Sequence, residues 1–103
     1  MAGDLTDSES QQLRIDLCTG FRGHTIVIVI NAREVYRRSG VTTDSATSRA
    51  DAIEVVTGAP TAHIEVFVTP GDFFGSIACD TAAHRHLVIS LVGEATLNLE
   101  TFP

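Results

Sequence analysis

The sequence predicts an antiparallel β-sandwich of about eight short strands with immunoglobulin-like dimensions, and three observations carry that expectation. Apolar residues alternate with polar ones in segment after segment, the period of a half-buried strand. Gly, Pro and Asn break the pattern at spacings of roughly 8–12 residues, as they do between the strands of a sandwich. No window carries the apolar stripe of an amphipathic helix. A small closed β-barrel is the alternative architecture. At 103 residues the chain fits one domain.

Residues 1–11 are polar and acidic and read as a flexible tail before a single domain over 12–103. Leu13, Ile15 and Leu17 then alternate with Arg14, Asp16 and Cys18, a half-buried strand. TGFRG (19–23) is a turn. HTIVIVI (24–30) is apolar in both alternating sets, so this strand should be covered on both faces. Asn31 suits the left-handed conformation of a tight hairpin over 31–33, with a return strand at 34–38. Ser39-Gly40 predicts another turn and 41–44 a short edge strand, while 45–51 reads as a loop or a helical turn.

AIEVVT (52–57) is a strand ended by GAP (58–60). In 62–68, Ala62, Ile64, Val66 and Val68 face the core, and His63, Glu65 and Phe67 face outward. TPGDFFG (69–75) is a loop and SIACD (76–80) a short strand. HLVISLV (86–92) and TLNLETF (96–102) form a hairpin across 93–95, with Leu87, Ile89 and Leu91 inward.

Composition narrows the function classes. The net charge is −6 and all seven basic residues are arginine, a poor basis for gripping phosphate or nucleic acid. The densest basic spot, Arg37-Arg38 with Arg33, reads as a solvated strand face. The N-terminus lacks the basic and apolar regions of a signal peptide, and the longest apolar run, Ile26 to Ile30, is far short of a membrane span. A soluble cytoplasmic protein with reduced Cys18 and Cys79 is therefore expected; a disulfide between the two, both on expected strands, is the alternative.

Chemical motifs are sparse. There is no nucleophile elbow, no Cys-x-x-Cys pair and no phosphate-cradling glycine loop. Asp72 and Asp80 could pair as glycosidase carboxylates only across a cleft deeper than a small sandwich usually offers. His84 and His86 point the same way from one strand, about 7 Å apart. With His63 and Glu65 they could hold a transition metal such as zinc, provided that strands 62–68 and 86–92 are neighbours. The cupin pattern does not fit, because the next glutamate after His86 is Glu94 and no histidine follows.

The more informative signal is surplus apolar surface. If the relevant strands share one sheet, its outer face carries Val27, Val29, Phe67, Val88 and Val92. Such a patch marks an interface or a covered face. Phe73 and Phe74 offer a second contact in a loop, and with Tyr36 they could serve as stacking surfaces for a ligand. The leading expectation is a non-enzymatic protein–protein interaction module that self-associates, without cofactor; a metal-binding protein or metal-dependent enzyme is the alternative.

Overall fold

In the computed structural model, residues 11–57, 60–93 and 96–103 are described. The expected tail over 1–10 and the turn positions 58–59 and 94–95 lie outside them. Eight strands follow one another: β1 (Gln11–Leu17), β2 (Arg22–Ile30), β3 (Arg33–Thr42), β4 (Asp51–Thr57), β5 (Thr61–Thr69), β6 (Phe73–Asp80), β7 (His86–Val92) and β8 (Thr96–Phe102). They form two four-stranded sheets, sheet A in the order β4-β1-β7-β8 and sheet B in the order β3-β2-β5-β6. The molecule is a β-sandwich and not a closed barrel. Pairing is antiparallel except where β1 runs parallel to β7, with Ile15 beside Leu87 and Leu17 beside Ile89.

The core lies between the central strands, and period-two alternation puts it there. Leu13, Ile15 and Leu17 of β1 and Leu87, Ile89 and Leu91 of β7 face Ile26, Ile28 and Ile30 of β2 and Ala62, Ile64, Val66 and Val68 of β5. All are buried. Each large aliphatic removed from water contributes about 1.5–3 kcal/mol before entropy is counted.

Five local expectations change. Gln11 already belongs to β1. Ser39-Gly40 does not turn the chain: β3 continues to Thr42 in one strand, and the positive φ of Gly40 (70°) goes with shifts in register against β2. The hairpin between β2 and β3 needs only Asn31 and Ala32, both left-handed at φ 52° and 65°, so Ile30 pairs directly with Arg33. β6 begins at Phe73, which removes Phe73 and Phe74 from the expected loop. Phe21, read as part of a turn, is a fully buried core residue, exchanging hydrogen bonds with Thr43.

The two lateral sides of the sandwich close differently. Between β6 and β8 the sheets meet by direct apolar packing. A Cβ on Gly75 would lie 2.7 Å from Leu99 Cδ1 and 3.2 Å from Leu97 Cδ2, so the absent side chain is what lets both leucines seat there. Between β3 and β4 the closure is polar. Tyr36 Oη donates to Asp51 Oδ2 at 2.7 Å, and Arg38 Nη1 reaches the same oxygen at 2.9 Å.

Candidate functional site

Strand order decides what the outward residues can do. β5 and β7 lie in different sheets, which overturns the condition on which two expected sites depended. His63 and Glu65 sit on the outer side of sheet B, and His86 on the outer side of sheet A. His84 lies in the turn before β7, its Nδ1 buried without a hydrogen-bond partner among the described residues. The four do not converge, and among the described residues no group of three or more His, Cys, Asp or Glu side chains is placed to hold a metal ion.

His86 has a different partner. Its Nε2 lies 2.5 Å from Asp16 Oδ2, across the outer face of sheet A. Arg14 Nε stands 3.3 Å and Arg49 Nε 3.8 Å from the other carboxylate oxygen. Asp16 is only 3% exposed despite pointing away from the core, because these three side chains cover it. Burial by itself raises the Asp16 carboxyl. Hydrogen bonds from His86 and Arg14, together with the charges of Arg14 and Arg49, outweigh it and hold the group below the ordinary carboxylate range. The arrangement also pins residues 44–50, since Ala50 N donates to Leu17 O at 2.6 Å and Asp44 bridges to Arg49. It is a satisfied polar cap on sheet A. Sequence places Asp16 on a polar face and carries no sign of its burial, which depends on partners 33 and 70 residues away.

The apolar patch is likewise divided. Val88 and Val92 belong to the outer face of sheet A, and Val27, Val29 and Phe67 to that of sheet B. One row crosses sheet B as Arg37, Val27, Phe67 and Phe74, each beside the next in register. Phe67 and Phe74 meet with ring centroids 5.0 Å apart and planes tilted by 50°, and remain 40% and 54% exposed. The neighbouring row runs Glu34, Val29, Glu65, Ser76, so polar groups flank the aromatic pair. Phe73 alternates with Phe74 and turns inward against the core, leaving one ring of the pair outside. Tyr36 is half-buried with its hydroxyl committed to Asp51, which removes it as a stacking surface.

Phe74 stands on the sheet's outermost strand. β6, FFGSIACD, carries no charge before Asp80 and no proline. The opposite edge strand, β3, carries Arg33, Glu34, Arg37 and Arg38 and pairs irregularly. Arg37 is held by Glu34 at 2.7 Å and Arg38 by Asp51, so the densest basic spot is neutralised locally. Charges and bulges are the usual protection against edge-to-edge pairing. β3 has both, whereas β6 pairs without a bulge and has no charge until its last residue, Asp80.

The cysteines offer no chemistry at this surface. Both are free; burial and then Asp16 push the Cys18 thiol up, and burial and then Asp80 push up that of Cys79. No family model matches the chain, and no curated protein or solved structure is detectably similar to it. Among the described residues no helix is long and apolar enough to cross a membrane.

Proposed function

We propose that this chain is a small non-enzymatic assembly module that associates with a second copy of itself through β6 and the outer face of sheet B beside it. The exposed Phe67–Phe74 pair, with Phe74 on the edge strand β6 and Phe67 beside it on β5, carries the reading. Edge strands pair readily where nothing blocks them, and an antiparallel contact of a strand with its own copy closes by twofold symmetry. A pairing centred on Ser76 brings Phe74 beside Ala78 of the second copy, a large ring against a small side chain. It joins the two aromatic patches on one continuous eight-stranded sheet. The reading includes a cytoplasmic, reducing setting, which two free thiols suit. It includes neither nucleic acid nor membrane as partner, in keeping with the net charge of −6.

Sedimentation of the full chain at micromolar concentrations tests the proposal. A dimer is expected, with Phe74→Glu and Ala78→Lys both monomeric and still folded by circular dichroism. Val92→Lys, on the opposite face, should leave the dimer intact. A wild-type protein that stays monomeric at about 100 μM, well above the dissociation constant of a functional contact, overturns it.

A further inference from the structure

The core-facing alternation of β2 is aliphatic from Ile26 to Ile30, reaches His24 and is interrupted between His24 and Arg22 by a shift of register at Gly23. His24 and the exposed Arg22 line a cleft of about 540 Å³ at that end of the sandwich. The connection at 18–21, the turn at 70–72 and Gly93 after β7 meet there. Pro70, Phe73 and Leu91 give the cleft its apolar wall. A Cβ on Gly71 would stand 2.3 Å from the Phe73 ring, so only a glycine lets the backbone approach that ring so closely.

The polar side is preorganised. His24 Nδ1 accepts the Arg22 backbone N–H at 2.8 Å, and its ring meets Phe21 edge-on at 6.1 Å. An accepting Nδ1 puts the proton of the neutral ring on Nε2, which is then available as a donor. The Arg22 guanidinium makes no ion pair among the described residues. Acidic residues outnumber basic ones 13 to 7 in the chain, yet among the described residues none that lines this cleft is a carboxylate. A concave apolar wall with a few converging donors is the usual form of a small-molecule site, and its volume falls within the usual range.

We propose that this cleft binds a small amphipathic carboxylate, its anion held by Arg22 and His24 and its apolar body against Phe73 and Leu91. Arginine is suited to this task, since its planar fork grips a carboxylate with two parallel hydrogen bonds.

The test is a titration of the full chain with 4-phenylbutyrate, and with its primary amide as the uncharged control, followed by amide and aromatic NMR shifts. Saturable shifts are expected at Gly20, Gly71 and Phe73, with the amide bound about tenfold more weakly. Arg22→Gln, at an exposed position outside the core, should weaken the acid by about the same factor and leave the amide unchanged. Absence of saturable shifts up to about 10 mM, a concentration at which even millimolar affinity would show, overturns the proposal. So does equal binding of acid and amide, or an Arg22→Gln protein that binds the acid as the wild type does.

Discussion

The β3/β4 side and the β6/β8 side of the sandwich solve one problem in opposite ways. Both must bring the edges of two sheets together. At β3/β4 a single carboxylate does so: Asp51 takes bonds from Tyr36 and Arg38 of the opposing sheet, and exposed charges stud the outside. At β6/β8 the residues touch directly, with two leucines seated on Gly75. The polar solution leaves an edge that repels neighbours. The apolar solution leaves a smooth strand and an uncovered aromatic pair. Protection of an edge is therefore a local property of its side chains, and one small sandwich can be closed to partners on one side and open on the other.

The largest expected effect bears on association. Placing on β6 the kind of charge that β3 already has, by Ala78→Lys, should raise the dimer dissociation constant at least about 30-fold, the effect of losing a contact worth about 2 kcal/mol. Arg37→Ala on β3 should change it less than about threefold, as for a contact outside an interface. Sedimentation equilibrium of both variants decides the matter, and comparable losses would abolish the contrast between the two sides. Next in size, Asp51→Ala should cost about 1–3 kcal/mol of stability in urea unfolding, because it leaves the half-buried Tyr36 hydroxyl without its acceptor, while the exposed Arg38 guanidinium turns to water. Tyr36→Phe should cost about 0.5–1.5 kcal/mol. The double variant should then cost less than the sum of the two single changes.

A third, graded effect comes from pH. Burial raises the Asp51 carboxyl, but the Tyr36 hydroxyl, the Ala52 N–H and Arg38 outweigh it and hold the group low. Asp16 is likewise held low. A carboxyl with a lowered folded pKa stabilises the fold fully above its unfolded value of about 3.9 and loses that contribution as pH falls through the folded value. Urea midpoints should therefore hold between pH 7 and about 5 and decline below about 4, with Asp51→Asn showing a shallower decline. The smallest effect is that of salt. Each copy carries −6, so raising ionic strength from about 0.05 to 0.5 M should strengthen dimerisation a few-fold by screening repulsion. Weakening with salt would mean that ion pairs, not β6 and its aromatic neighbours, hold the copies together.

The sequence by itself determined the strands and which way most side chains face. Successive side chains in a strand point to opposite faces, so Leu87, Ile89 and Leu91, or Ile64, Val66 and Val68, announce a buried face without any knowledge of the neighbours. The outward positions of Val27, Phe67 and His63 were legible for the same reason. Only the tertiary structure decided which outward residues share a surface. Sheet order is set by pairings between distant segments, and alternation within one strand says nothing about them. That order put Val88, Val92 and His86 on one outer face and Val27, Val29, Phe67 and Phe74 on the other. It turned an expected histidine cluster into an Asp16–His86 pair, and it buried Asp16 and Phe21 where local pattern predicted a polar face and a turn. The surplus apolar surface was visible in the chain; its place beside an unguarded edge strand was not, because an edge exists only once the sheets have formed.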